Sequence, residues 1–186
     1  MASGVVRKLL LAAGALGGLW AMLVRGAVTL DLGIGRTLRP LGPIVVPIAA
    51  PRKVVFEVIS SPYVRRTPRA LGKKLKVLER GQDLVLAAHF TEIGPLVTTT
   101  VETVRFERPS SVHFRLVRGP VPHVVEQFLL HETAEGTELE YRGELGADLW
   151  ALGRLWGYGV ARRWEAAVRD SLASVKHEAE RRAGRT

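Results

Sequence analysis

The chain contains no cysteine. Disulfides, thiolate metal sites and thiol nucleophiles are therefore excluded. The compartment stays open, because many exported proteins also lack cysteine. Acidic residues are outnumbered, 18 against 27 Lys+Arg, which leaves a net charge of +9 and a pI near 10.6. Such a surface attracts phosphate, on nucleic acid or on anionic lipid, and is equally compatible with a solvated basic surface that has no specific partner. Motifs for chemistry are also missing. The five histidines are His89, His113, His123, His131 and His177. None stands at a helical metal-ligand spacing from a Glu or another His, although a site assembled from separate strands would leave no such signal. The serines fall at turns or in the last helix, with no GxSxG elbow to activate one. The GIG at Gly33 lacks the third glycine and the following helix of a phosphate loop. No metal and no cofactor is expected.

What the sequence does have is a distinct N-terminus. Arg7 and Lys8 precede an uncharged run over residues 9–24, LLLAAGALGGLWAMLV, closed by Arg25. The run is slightly short of the ~20 residues of a membrane helix, a length it reaches if Val5 and Val6 join and the flanking cations snorkel. The flanking charges and Trp20 favour an anchor. A cleaved signal peptide ranks second, for want of a small-x-small site after the run. A soluble packing helix ranks third, because Gly14, Gly17 and Gly18 suit a membrane better. Arg25, Arg36, Arg39, Arg52 and Lys53 outnumber Arg7 and Lys8, which leans toward a cytoplasmic C-terminal domain over an exported one.

Residues 26–43 are rich in glycine and proline and read as a linker with a short strand at 28–32. Residues 44–50 read as a strand, with Pro47 marking an edge or bulge. Pro51 opens a helix carrying Val54, Val55, Val58 and Ile59 at helical spacing. Ser60, Ser61 and Pro62 are expected to end it, with a second short helix over 62–71. Strands follow at 73–80, 84–93, 97–107, 112–118, 124–133 and 137–145, separated by turn residues. The last alternates cleanly, Thr137, Leu139, Tyr141, Gly143 and Leu145 on one face and charged residues on the other. Asp148 is placed to cap a helix running to about Arg182. Its inner stripe is Trp156, Val160, Trp164, Val168, Leu172 and Val175. The architecture expected is α+β, an antiparallel sheet of about six or seven strands covered by one long helix.

Three stretches carry a family resemblance: IAAPRKVVFEVISSP from Ile48, EGTELEYRGEL from Glu135 and RRWEAAVRDSLASVKHEAERR from Arg162. Together with the element order, they resemble the SRPBCC superfamily of START lipid-transfer domains, polyketide cyclases and plant-allergen-like carriers. The resemblance spans residues 44–182, between the membrane-like segment 1–25 with its linker 26–43 and a tail at 183–186. It implies a helix-grip fold, a curved sheet wrapped around a long C-terminal helix, with a cavity between them. Its motifs mark the fold and name no ligand.

Alternation along 124–133 puts Glu126 on the side of Phe128 and Leu130. A carboxylate there is costly unless paired or protonated. The competing reading is an exposed Glu beside Gln127. Leu139 and Tyr141 face inward from the last strand, and Trp156 and Val160 from the helix. Glu126, Phe128, Leu139, Tyr141, Trp156 and Val160 form the expected cavity lining. Arg65, Arg66, Arg69, Lys73, Lys74 and Lys76 make a dense basic stretch with a single aromatic, Tyr63, beside it. Nucleic-acid binding would want interleaved aromatics, so a membrane surface is the expected partner, and no nucleic acid. The favoured function is uptake of an apolar small molecule or lipid near a membrane. The alternatives are a polyketide cyclase/dehydratase-like enzyme using Glu126 or Tyr141, and an interaction protein whose cavity is filled by its own side chains.

Overall fold

A computed structural model describes residues 2–64 and 73–184. In chain order its elements are α1 (Ala2–Val24), β1 (Thr37–Ile48), α2 (Arg52–Val64), β2 (Leu75–Arg80), β3 (Leu84–Ile93), β4 (Leu96–Glu107), β5 (Ser111–Arg118), β6 (His123–Thr133), β7 (Gly136–Ala147) and α3 (Trp150–Ala183). The seven strands form one antiparallel sheet in the order β1-β7-β6-β5-β4-β3-β2. Strands β2 to β7 are meanders joined by short turns, and β1 closes the array against β7. The long helix α3 lies against β1, β7 and α2. This is the helix-grip fold.

Period-two alternation builds the core. Val85 and Ala87 of β3, Val104 and Phe106 of β4, Val112 and Phe114 of β5, Phe128 and Leu130 of β6, and Leu139, Tyr141 and Leu145 of β7 are all buried. Val55, Phe56 and Ile59 of α2 and Ala161, Val168 and Leu172 of α3 meet them. Fully burying a Leu, Val or Phe of this kind contributes about 1.5–3 kcal/mol. Trp156, Val160, Trp164 and Val175 are half-buried on the same stripe of α3.

The structure departs from the sequence expectations at four places. Strand β1 begins at Thr37, so much of the expected linker is sheet, paired from Thr37 opposite Ala147. Residues 28–32 form no strand. Their polar groups are taken by side-chain partners instead: Thr29 exchanges hydrogen bonds with the backbone of Gly119, and the Leu32 and Gly33 N–H groups donate to Asp148 at 2.7 and 2.8 Å. Asp148 is therefore no N-cap. The cap position is Leu149, in the left-handed region at φ 74°, while the Asp148 carboxylate also receives Arg36 Nε at 2.7 Å. Helix α2 continues through Ser60 and Ser61 and includes Pro62. Pro62 has no N–H for the Val58 carbonyl, and the Ser61 hydroxyl donates to that carbonyl at 3.4 Å. The continuation holds Tyr63 on the buried face, one turn beyond Ile59. The expected second short helix falls mainly on residues 65–72, outside the described residues, as do Arg65, Arg66 and Arg69. Lys73 and Lys74 are exposed just before β2.

Candidate active site

Glu126 points into the domain. It is one of few charged side chains in the core, at 7% exposure. Two donors converge on its Oε2, the Tyr141 hydroxyl at 2.7 Å and the Trp164 indole N–H at 2.7 Å. The glutamate thus joins β6, β7 and α3. Gly143 lies opposite it on β7. A Cβ on Gly143 would come within 2.9 Å of the Glu126 Cβ, so the glycine makes room for the carboxyl. Burial raises the Glu126 carboxyl well above the ordinary glutamate range, and the nearby charge of Glu102 raises it further; the two hydrogen bonds oppose this without reversing it. A neutral Glu126 accepts both bonds on Oε2 and carries its proton on Oε1.

A second polar group lies on the same face toward β3. Glu102 of β4 is buried and its carboxyl is also raised by burial, opposed by a hydrogen bond from Thr100. Its Oε2 lies 3.3 Å from His89 Nδ1, close enough for charge to be felt but without hydrogen-bond geometry, and Nδ1 has no hydrogen-bond partner. The other ring nitrogen, Nε2, is 2.9 Å from the Tyr63 hydroxyl. Burial lowers the His89 imidazole to about 4. Burial accounts for that lowering, and the Glu102 carboxyl beside the ring does not offset it. Burial also raises both tyrosines, with the charges of Glu102 and Glu126 adding to the effect on Tyr63 and that of Glu126 to the effect on Tyr141.

Aromatic rings connect the two groups. Tyr63 and Phe114 are 6.3 Å apart, Phe114 and Phe128 5.2 Å, and Phe128 and Tyr141 5.8 Å, each pair edge-on. The interior therefore has an aromatic floor with a carboxyl at each end. Leu139 and Tyr141 have no exposed surface, whereas the His89 side chain keeps 23% of its own. The least enclosed end of the row is thus at Tyr63 and His89. Two titratable pairs with shifted pKa values in an apolar enclosure are suited to acid–base work. Among the described residues no three acidic or histidine side chains converge as a metal set.

Of the expected lining, Glu126, Phe128 and Tyr141 come together, and Leu139 sits two residues before Tyr141 on β7, in the core. Trp156 and Val160 are half-buried nearer the start of α3. The Trp156 indole donates to the Pro120 carbonyl at 2.8 Å, and its ring lines a separate apolar cleft of about 210 Å³ with Leu23, Leu30, Pro122 and Leu152. Sequence reasoning missed Tyr63, His89 and Glu102 as site residues, and the role of Trp164 as a donor. One signal existed: Glu102 shares its parity with Val104 and Phe106 on β4.

A family model described as polyketide cyclase / dehydrase and lipid transport matches residues 44–180, and the chain belongs to that family. No curated protein matches the chain by sequence. Among solved structures, the Zhui aromatase/cyclase from Streptomyces superposes with a TM-score of 0.65 at 18% identity, over 78% of this chain and 96% of that one. A protein from Thermus thermophilus gives 0.56 at 15%, over 77% and 94%. The di-domain aromatase/cyclase BexL gives 0.56 at 16%, over 80% of this chain and 50% of that one. These likenesses establish the shared fold.

Proposed function

We propose that this chain is a membrane-anchored acid–base enzyme acting on a hydrophobic, carbonyl-bearing small molecule, of the cyclase or dehydratase type. The observation that carries the reading is the pair of buried carboxyls, Glu126 and Glu102, each held by hydroxyl-bearing side chains on one aromatic floor. Two carboxyls in one apolar interior do not ionise together readily, since the first charge raises the second group. One is then the base and the other the acid. In an intramolecular aldol closure, the base removes a proton from the carbon beside a carbonyl. The new carbon–carbon bond forms at a second carbonyl, whose oxygen takes the proton of the acid. Loss of water then needs the same two groups and no external oxidant. Neutral Glu126, through Oε1, is assigned the acid. Glu102, the less raised of the two carboxyls, is assigned the base, reached through Tyr63 and His89. Membership of the polyketide cyclase / dehydrase and lipid transport family, and the likeness to two aromatase/cyclases, support the same substrate class.

The anchor is part of the reading. Residues Val5–Val24 form a helix long and apolar enough to cross a membrane; its described side chains are exposed as far as Trp20, and only its last turn touches the domain. A helix apolar on all sides and uncovered is out of place in water. The anchor keeps the domain beside a reservoir of apolar substrate.

The test combines native mass spectrometry of the purified full chain, to identify a co-purifying molecule, with turnover of that molecule or of a synthetic poly-β-ketone thioester. Glu126→Gln is expected to keep the molecule bound and to lower turnover about 10²–10⁴-fold, the usual worth of a positioned acid or base. If wild-type protein returns the bound molecule unchanged, the chain is a carrier, as the sequence alone favoured.

A further inference from the structure

The first turns of α3 break the rule that the rest of the helix obeys. Beyond Tyr158 its outward positions are charged or small, among them Arg162, Arg163, Arg169 and Asp170. Before it, the exposed positions are Trp150, Leu152 and Leu155, at 62%, 72% and 73%, with Ala151 and a single charge, Arg154, among them. Leu152, Leu155 and Tyr158 follow at intervals of three and form one exposed stripe, which starts beside Trp156, one turn before it at Leu152, and turns away from the core toward Tyr158. The neighbouring chain adds to it. Leu149 and Trp150 donate their N–H groups to the carbonyls of Ile34 and Gly35, and the Trp150 ring lies on Gly35, where any side chain would overlap it. Exposed Leu32 and Ile34 thereby stand beside exposed Trp150. Scattered exposed apolar residues need no explanation, but a clustered patch of this kind does.

The position of the patch identifies what covers it. Helix α1 ends beside it: Leu23, the penultimate residue of α1, lines the same cleft as Leu152 and Trp156. The end of α1 is fixed to the domain, by the Thr98 hydroxyl donating to the Val24 carbonyl at 2.6 Å and the Thr99 N–H donating to the Arg25 carbonyl at 3.0 Å. The apolar stripe gives way to charge at Tyr158, whose ring lies under two guanidinium groups, Arg39 at 5.4 Å and Arg162 at 5.9 Å. An amphipathic aromatic flanked by arginines is the composition of the headgroup level of a bilayer.

We propose that the start of α3, with the 32–35 segment, is a second membrane contact: Trp150, Leu152, Leu155, Leu32 and Ile34 enter the leaflet that α1 leaves, and Tyr158 with Arg39 and Arg162 marks the headgroup level. The inference rests on the membrane reading of α1, so the experiment monitors both. The absence of native cysteine makes single spin labels unambiguous. Full-length chains carrying Leu16→Cys, Leu152→Cys, Leu155→Cys or Ala173→Cys are labelled with a nitroxide. They are reconstituted in vesicles of phosphatidylcholine and phosphatidylglycerol, and collision rates with oxygen and with a water-soluble nickel chelate are compared. Labels at 16, 152 and 155 are expected to favour oxygen several-fold over the label at 173. Labels at 152 and 155 that meet nickel as freely as the label at 173, while the label at 16 is lipidic, overturn the contact and leave the anchor standing. Labels at 152 and 155 shielded from both reagents overturn it in favour of a second copy or another protein. A label at 16 that is aqueous removes the anchor, and the contact survives only if 152 and 155 remain lipidic. Native tryptophan provides a check free of cysteine substitution. In the Trp20→Phe chain, brominated lipid is expected to quench fluorescence, and adding Trp150→Phe is expected to remove most of that quenching. Quenching that persists without Trp150 counts against the contact.

Discussion

Glu126 contributes both to chemistry and to packing, and substitutions separate the two. Its Oε2 accepts from Trp164 and Tyr141, so Trp164→Phe deletes one donor while keeping most of the ring's burial. The cost expected is about 1–3 kcal/mol, that of losing a buried hydrogen bond, read as a fall in melting temperature. Trp164→Ala removes the packing as well and is expected to cost about 3–5 kcal/mol. If Trp164→Phe and Trp164→Ala are equally mild, the ring is not packed against the sheet as described. Alternation made Glu126 and Tyr141 legible in the sequence, because each lies on a strand whose neighbours are strongly apolar at the same parity. Tyr63, His89 and Glu102 were not legible together. They come from α2, β3 and β4, and their meeting depends on register: Ala87 opposite Glu102 and His89 opposite Thr100. Tyr63 in addition lies beyond a proline expected to end its helix, and nothing local signals that Ser61 takes over the Val58 carbonyl.

The elements themselves were largely legible, since turn residues punctuate six strands and a 3.6 period runs through α3. What the sequence obscured is how glycine acts at the start of that helix. Gly153, Gly157 and Gly159 all lower helix propensity, yet their surroundings differ. A Cβ on Gly153 would overlap the Asp148 carbonyl, and one on Gly157 would meet Ala147 and Leu145 at 3.3 Å. Around Gly159 the nearest atom is the tip of Arg163 at 3.8 Å. Gly159→Ala is therefore expected to stabilise the protein by up to about 1 kcal/mol through helix propensity. Gly153→Ala is expected to destabilise it by about 1–3 kcal/mol, because overpacking outweighs that gain. Denaturant unfolding of the two variants should give opposite signs, and equal signs would mean that α3 does not start against Ala147 and Asp148. Asp148 shows the same limit of local reasoning. It has the residue type of an N-cap, but a competing partner, Arg36, sits 112 positions away in sequence.

At the scale of the whole molecule, the titrating interior couples folding to pH. Glu126 and Glu102 are raised, so the folded chain holds protons that the unfolded chain releases above the ordinary glutamate range. Their contribution is complete below that range and is lost as pH rises through the raised values. His89 acts in the opposite sense: its lowered imidazole contributes above the ordinary histidine value and is lost as pH falls toward about 4. Melting temperature is expected to decline on the alkaline side, with a shallower decline in Glu126→Gln; an unchanged slope would mean that Glu126 is ionised in the folded chain. Full-length protein is expected to remain with membranes after carbonate extraction, and uncleaved chain in the soluble fraction would contradict the anchor. The segment between α1 and β1 adds a mechanical consequence. It is clamped near one end by Thr98 and Thr99 and near the other by Asp148, which takes Leu32, Gly33 and Arg36 together. On the proposed membrane reading, an anchor joined in this way acts as a stiff bracket that keeps the domain from swivelling freely over a bilayer. On the same reading, the Tyr63–His89 end of the domain keeps one bearing relative to the lipid surface, and a molecule passing between them would travel the same route each time.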